Sequence, residues 1–104
     1  MIAFDLIIGF EWDDGNSRKS VDRHGVSQAE AEQVFFAEPL IVADDLRHSL
    51  GEPRYHALGR TAEGRLLQAT FTLRGGGTLL RVISARDMIR KERKVYEQAT
   101  QAGA

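Results

Sequence analysis

The sequence predicts an α+β domain in which helices pack on a mainly antiparallel sheet. Three observations support this class: apolar residues alternate over residues 2–12, a strongly capped helix pattern covers 26–39, and short strand patterns with turns follow from residue 40. The predicted order is an N-terminal strand, two helices, a strand meander and a C-terminal helix. At 104 residues, the chain is expected to form a single domain over residues 1–104.

The N-terminal segment alternates between apolar and other residues with a period of two, which is typical of a strand with one buried face. The residues on the apolar side are Ile2, Phe4, Leu6, Ile8, Phe10 and Trp12. We therefore predict one continuous strand over this segment.

Two helices are predicted next, the first weak and the second strong. The first lies in "DDGNSRKSVDRHG" and ends at Gly25. In the second, Ser27 and Glu30 form a capping-box pattern, and Pro39 closes the segment. Its predicted apolar face consists of Ala31, Val34 and Phe35.

The meander is predicted as strands 40–46, 54–61, 65–74 and 78–83, with a loop at 47–53. A three-residue turn at 62–64 would pair Ala57 with Ala69. One face of this hairpin is then apolar, with Tyr55, Ala57, Leu67, Ala69 and Phe71. The opposite face carries Arg54, His56, Arg60, Gln68, Thr70, Thr72 and Arg74.

The turn at "GGG" leaves two registers open for Arg81. A three-residue turn pairs Arg81 with Phe71 on the core side, and a four-residue turn pairs it with Thr72 on the polar side. Because a buried unpaired charge costs several kcal/mol, we predict the four-residue turn, which also directs Leu80 and Val82 to the core.

The last element is predicted as a helix over 85–99. Ser84 and Asp87 fit a capping pattern, so Arg86 would open the helix, where backbone N–H groups could help to bind an anion. The predicted buried stripe is interrupted by Glu92 and consists of Ala85, Met88, Ile89, Tyr96 and Ala99.

Charge is unevenly distributed along the chain. Residues 1–53 hold four bases and eleven acids, a net −7, whereas residues 54–104 hold ten bases and four acids, a net +6. This asymmetry favours a polyanionic partner for the basic half; the alternative is that the two halves pair with each other. The absence of cysteine and of an apolar run of about 20 residues indicates a cytoplasmic protein.

The residues that could carry chemistry are arginines together with a few His, Glu and Tyr side chains; no metal-binding or cofactor motif occurs, and no cofactor is expected. This inventory suits cleavage of RNA, which supplies its own 2′-OH nucleophile. Arginines would position the phosphate and neutralise developing charge, and His or Glu would move protons. The alternative is a non-catalytic module that binds nucleic acid or a partner protein through the same bases.

Several segments, in this order, resemble the BrnT family of toxins of type II toxin–antitoxin systems. They are "FEWD", "RHGVS", "DLRHS", "GEPRYHALG", "EGRLL", "RVISAR" and "ERKVYE", which together span residues 10–97. The resemblance implies a RelE-like fold and a metal-independent endoribonuclease activity that inhibits translation. It also implies a BrnA antitoxin with a ribbon-helix-helix DNA-binding domain, whose acidic or amphipathic segment would cover the arginine surface. The family tends to show Lys and Asn in the first helix, where this chain has Asn16 and Ser20.

The predicted site combines four phosphate-binding arginines with three proton-transfer candidates. The arginines are Arg54, Arg74, Arg81 and Arg86; the proton-transfer candidates are His24, His48 and Glu52, with no metal ligand. His24 and His48 are chosen because they lie in the family-like motifs "RHGVS" and "DLRHS". His56 lies outside any such motif and is not included. The alternative role for Glu52 is an ion pair with Arg54, and Glu92 is expected to hold an arginine in place.

Overall fold

The computed structural model describes residues 2–47 and 51–102 and confirms the α+β class. Its helices and strands are β1 (Gly9–Phe10), α1 (Lys19–His24), α2 (Gln28–Val34), β2 (Ile41–Asp44), β3 (Tyr55–Arg60), β4 (Leu66–Arg74), β5 (Leu79–Asp87) and α3 (Arg90–Ala102). The sheet has the order β1-β5-β4-β3-β2. Only β1 and β5 are parallel neighbours, and the other pairs in this sheet are antiparallel.

The main core lies between one face of the sheet and α2, together with the residues that lead into α2. The predicted capping box is present, since the Ser27 hydroxyl accepts from the Glu30 N–H and the Glu30 carboxylate accepts from the Ser27 N–H, each at 3.0 Å. Gly25 ends α1 with φ of 64°, as predicted. The fully buried residues of this core are Val26, Ala31, Val34, Ala57, Leu67, Ala69, Phe71, Leu80, Val82 and Ala85.

The opposite face of the sheet is covered at one end by α3. Tyr96 of α3 is buried against Leu58 and Met88, and its hydroxyl donates a 2.7 Å hydrogen bond to the Pro39 carbonyl oxygen. Burial raises the pKa of the Tyr96 hydroxyl, so it remains a donor at neutral pH. This helix therefore has a fixed position relative to the sheet.

Both predicted hairpin registers are confirmed. Ala57 pairs with Ala69, and Arg81 pairs with Thr72 across the four-residue turn at 75–78. Leu80 and Val82 are each 1% exposed, so both lie in the core as expected. Turn length set the first register correctly, and the cost of burying Arg81 selected the second.

A β-bulge in β5 was not predicted. Thr70 pairs with Ser84 and Phe71 with Val82, which leaves Ile83 as an extra residue on β5. An extra residue reverses the alternation of side chains beyond it. Arg81 and Arg86, which are five positions apart, therefore point to the same face of the sheet.

The prediction of one continuous N-terminal strand is wrong. Residues Phe4–Leu6 form a 3₁₀ turn and only Gly9–Phe10 join the sheet. The turn changes the spacing of inward residues from two to three, so that Phe4, Ile7 and Phe10 pack on the core. Leu6 and Ile8 are instead 59% and 83% exposed.

The predicted start of the last helix is also wrong. Residues 84–87 continue β5, where pairing with β4 extends to Leu67 and Asp87, and α3 begins at Arg90. The side chain that caps the start of α3 is Glu92 and not Asp87. The Glu92 carboxylate accepts a 2.9 Å hydrogen bond from the N–H of Ile89, the residue before the helix. Of the predicted buried stripe, Ala85 lies in β5, Met88 precedes the helix, and Ile89 is 54% exposed.

Within the described part of the chain, no helix combines the length and apolar character that a membrane span requires.

Candidate functional site

The side of the sheet opposite the main core carries a set of polar residues next to α3, which we call the polar face. Strand alternation gives it His56 from β3, Gln68, Thr70, Thr72 and Arg74 from β4, and Arg81, Ser84 and Arg86 from β5. Arg54 directly precedes β3, where its carbonyl oxygen accepts from the Asp45 N–H at 2.9 Å, and alternation from Tyr55 assigns it to the same face. All four predicted arginines therefore belong to one side of the sheet.

Arg81 is fixed by two carboxylates of the N-terminal segment. Its Nη1 lies 3.0 Å from Glu11 Oε1 and 2.9 Å from Asp13 Oδ2, and its Nη2 lies 3.0 Å from Asp13 Oδ1. The hydrogen bonds from Arg81 hold the pKa of the Asp13 carboxyl below its ordinary value. Only 15% of the Arg81 side chain is exposed, so its guanidinium is held in one orientation.

Arg74 binds Glu52 through two parallel hydrogen bonds. Arg74 Nε lies 3.1 Å from Glu52 Oε2, and Arg74 Nη2 lies 3.2 Å from Glu52 Oε1. Arg74 Nη1 is also 3.7 Å from Glu11 Oε1, which links this pair to Arg81. The structure thus brings the predicted residues Glu52, Arg74 and Arg81 together, with Arg74 as the partner of Glu52.

Arg86 and Glu92 form a second bidentate pair. Arg86 Nη1 and Nη2 lie 2.8 and 3.0 Å from the two Glu92 oxygens. Burial raises the pKa of the Glu92 carboxyl, but the hydrogen bonds from Arg86 and from the Ile89 N–H outweigh it and lower the pKa overall. The expectation that Glu92 holds an arginine is confirmed. The expectation that Arg86 opens the last helix is wrong, since Arg86 lies in β5.

His56 is a site residue that the sequence motifs did not single out. Its Nε2 lies 3.1 Å from Oδ2 of the buried Asp45, and its Nδ1 lies 2.6 Å from Gln68 Nε2 and 3.0 Å from Thr70 Oγ1. The side chain remains 39% exposed. Its position on the polar face was readable from strand alternation, but Asp45 lies on a separate segment, and no local pattern connects the two.

A cavity of about 270 Å³ opens beside His56. Four polar residues line it, namely His56, Gln68, Arg86 and Glu92, together with the apolar residues Ile41, Ala43, Leu58 and Val95. Positive charge, a carboxylate and an imidazole thus surround one concave surface.

His24 lies in a different cluster. Arg65 donates to the His24 carbonyl oxygen at 3.3 Å and forms ion pairs with Asp87 at 2.8 Å and Glu30 at 3.2 Å. In the described part of the chain, no contact joins His24 to Arg74 or Arg81. The third predicted proton-transfer residue, His48, lies outside the described residues.

Asn16 and Ser20 attach the N-terminal segment to β5. Asn16 Nδ2 donates to the carbonyl oxygens of Val82, at 2.8 Å, and Glu11, at 3.1 Å, and Ser20 Oγ accepts from the Ala85 N–H at 2.7 Å. Both side chains are buried, at 4% and 7% exposure. They help to place Glu11 and Asp13 beside Arg81.

The acidic and basic halves of the chain therefore pair in part with each other. Pairing of the halves was the alternative to a basic surface that is fully available to a polyanionic partner. Contacts between the two halves include Arg65–Glu30, Arg74–Glu52, Arg74–Glu11, Arg81–Glu11 and Arg81–Asp13. Among residues 2–47 and 51–102, no group of three or more His, Asp or Glu side chains is arranged to hold a metal ion.

Residues 12–92 match the family described as ribonuclease toxin, BrnT, of type II toxin–antitoxin system. The chain belongs to the BrnT toxin family. The match to the BrnT family begins at Trp12, so the 3₁₀ turn, β1 and Glu11 precede it. The Arg81–Glu11 ion pair thus joins the matched region to the segment before it.

The fold is similar to that of the Brucella abortus ribonuclease toxin BrnT, known from a crystal structure. The two share 19% sequence identity and a TM-score of 0.61 over 80% of this chain and 99% of that chain. At this identity the likeness shows the fold alone. Among curated proteins, no sequence matches this chain.

Proposed function

We propose that this BrnT-family ribonuclease cuts RNA internally without a metal ion, in the cytoplasm, and that a BrnA-like ribbon-helix-helix antitoxin neutralises it. The family gives the ribonuclease and the toxin–antitoxin context. The observation that supports the proposed chemistry is the bulge at Ile83, which directs Arg81 and Arg86 to one face. On that face Arg86 lines the cavity together with His56, and Arg81 shares the Glu11 carboxylate with Arg74.

The proposed reaction uses the nucleophile that RNA carries. The 2′-oxygen attacks the adjacent phosphorus and loses its proton to a base on the protein. The P–O5′ bond breaks, and the 5′-oxygen leaves with a proton from an acid. The products are a 2′,3′-cyclic phosphate and a 5′-hydroxyl. The base on the protein has then gained a proton and the acid has lost one, so both return to their starting states by exchanging a proton with water.

Arg74, Arg81 and Arg86 suit the stabilisation of the phosphate because each of these three keeps N–H donors that its ion pairs do not use. A guanidinium has five N–H donors. Arg86 uses three of them on Glu92 and the Asp87 carbonyl oxygen, which leaves Nε–H and one Nη2–H. We assign Arg54, Arg74, Arg81 and Arg86 to phosphate binding, with Glu92 as the group that orients Arg86.

Proton transfer is proposed for Glu52, His24 or His48, as the sequence indicated, and for His56, which the geometry adds. Glu52 and His56 lie with the arginines, and Asp45 orients the His56 ring. Its Nε2 faces Asp45 and its Nδ1 faces Gln68 and Thr70, so a reacting oxygen would replace Gln68 or Thr70 as the partner of Nδ1. This favours His56 over His24.

The test is cleavage of purified single-stranded RNA by the purified toxin, with EDTA in one reaction and Mg²⁺ in another. We expect equal rates, products that end in 2′,3′-cyclic phosphates, and growth arrest on expression without antitoxin. A requirement for Mg²⁺, or products with 3′-hydroxyls, would contradict the proposed chemistry. Binding of RNA with no cleavage would instead favour the non-catalytic module.

The antitoxin is proposed to place an acidic or amphipathic segment over the polar face, where it would block the arginines. Co-expression with a BrnA-like antitoxin should restore growth and give a stable complex. Protection of the Arg86 region from hydrogen exchange in that complex would support the assignment. Protection confined to residues 2–14 would contradict it.

A further inference from the structure

The first two turns of α3 carry positive charge that the described residues outside this helix do not neutralise. Arg90, Lys91 and Lys94 are exposed, and in the part of the chain that the structure describes none of them has a carboxylate within 4.0 Å. By contrast, Arg74, Arg81 and Arg86 each pair with at least one carboxylate.

This helix holds the three bases at a defined place beside the cavity. Tyr96 and the Arg86–Glu92 pair fix α3 on the sheet. Residues four apart lie on the same side of a helix, so Lys91 lies on the side of Val95, which lines the cavity. Arg90 and Lys94 are also four apart and lie on the adjoining outward side.

We propose that Arg90, Lys91 and Lys94 bind the sugar–phosphate backbone of single-stranded RNA and hold the strand across the cavity. This inference rests on the proposed function, in which RNA is the substrate of the cavity. A base that is already paired with a carboxylate adds no net charge and releases few counterions when a polyanion binds. The three unpaired bases supply that electrostatic attraction.

The shape of the surface favours a nucleic acid over an acidic protein segment. Tight protein partners place large side chains in pockets, whereas these three bases stand on the convex surface of a helix. Lys and Arg side chains on such a surface can follow a flexible phosphate backbone without reading its sequence. We therefore expect RNA binding by α3 to be independent of base sequence.

The experiment measures binding apart from cleavage. The probe is a short fluorescent single-stranded oligouridine with 2′-O-methyl sugars, which lack the nucleophile, and its affinity is measured by anisotropy from about 50 to about 200 mM salt. The variant is Arg90→Gln/Lys91→Gln. We expect affinity to fall about tenfold at low salt, and the slope of log K against log salt to become shallower by about 0.7 for each phosphate that the variant no longer binds. Adding Lys94→Gln should extend both effects.

The matched control is Arg18→Gln/Lys19→Gln, which removes one Arg and one Lys at the start of α1. Both residues are exposed, and Arg18 has only a 3.8 Å pair with Asp22 at high exposure. We expect this variant to keep the wild-type slope and an affinity within about twofold. Thermal unfolding of all variants checks that they fold.

Three outcomes would overturn the proposal. They are an unchanged slope for the α3 variants, equal losses in the α3 and control variants, and loss of antitoxin binding with RNA binding intact. Failure of the proposed function is distinguishable from failure of this inference. If the protein binds the probe through α3 but cuts no RNA, the binding inference stands and the proposed ribonuclease activity is contradicted. If the protein cuts RNA but the α3 variants bind the probe as the wild type does, the ribonuclease activity stands and the binding inference is contradicted.

Discussion

Arg81 and Arg86 lie on the same face of the sheet because Ile83 is an extra residue between them. Arg81 pairs with Thr72 and Arg86 with Gln68, four positions apart on β4. Without the bulge, five residues of regular strand would direct the two guanidinium groups to opposite faces. The bulge therefore determines whether two of the candidate phosphate ligands can act on one RNA strand.

Replacing Arg86 by Ala is expected to lower the rate of RNA cleavage about 100-fold or more, because a donor aimed at the developing phosphate charge is removed. Arg86→Lys should restore little, since one ammonium group cannot bind both Glu92 and a phosphate in the same planar geometry. Cleavage rates and thermal unfolding are the measurements. Arg60→Ala, at an exposed arginine whose side chain donates to the Glu38 carbonyl oxygen, is the control and should cut at the wild-type rate.

His56→Ala is expected to slow cleavage by about 10²- to 10⁴-fold, the range for loss of a proton-transfer group. His24→Ala should have a much smaller effect, because His24 lies beside Arg65 and Asp87 and, among the described residues, contacts neither Arg74 nor Arg81. Initial rates for both variants at saturating RNA measure the difference. The reverse order of effects would show that proton transfer occurs near His24.

Arg65 is expected to make stability depend on pH below about 4.5. The hydrogen bond from Arg65 is the main cause that lowers the pKa of Asp87, and Arg65 adds to the effect of the Ser27 N–H on Glu30. Carboxyls with lowered pKa values stabilise the folded protein above their ordinary values, 3.8 and 4.5, and this contribution disappears as pH falls through the lowered values. The difference in unfolding free energy between wild type and Arg65→Gln should therefore shrink on acidification from pH 6.

Urea unfolding at a series of pH values measures that difference. Arg18→Gln is the control, because the Arg18–Asp22 pair is exposed and should contribute little at any pH. A gap between wild type and Arg65→Gln that stays constant down to pH 3 would contradict the assignment.

Gly59→Ala is expected to destabilise the fold by about 1–3 kcal/mol, the usual range for overpacking a core. A Cβ at Gly59 would lie 2.5 Å from the Val34 carbonyl oxygen and 3.0 Å from Val34 Cγ1, so α2 would have to move away from β3. Gly9→Ala is the matched control in the same sheet, since its Cβ would meet only Leu79 Cδ2 at 3.7 Å. Equal unfolding free energies for the two variants would show that α2 can shift at no cost.

The sequence by itself determined the parts of this protein that depend on near neighbours. Ser27 and Glu30 are three residues apart, so their capping box was readable from the chain, as was the stop at Gly25. Turn length and the cost of burying Arg81 set the register of both hairpins. The same alternation assigned Arg74 and His56 to the face opposite Phe71.

Only the tertiary structure decided the features that depend on distant partners. Pairing with β4 extends β5 through Ala85 to Asp87, where local capping signals favoured a helix. The contacts Arg81–Asp13 and His56–Asp45 join separate segments of the chain. A strand is selected by the neighbour it pairs with, and an ion pair by the side chain that folding brings within reach, so neither is encoded in the spacing of adjacent residues.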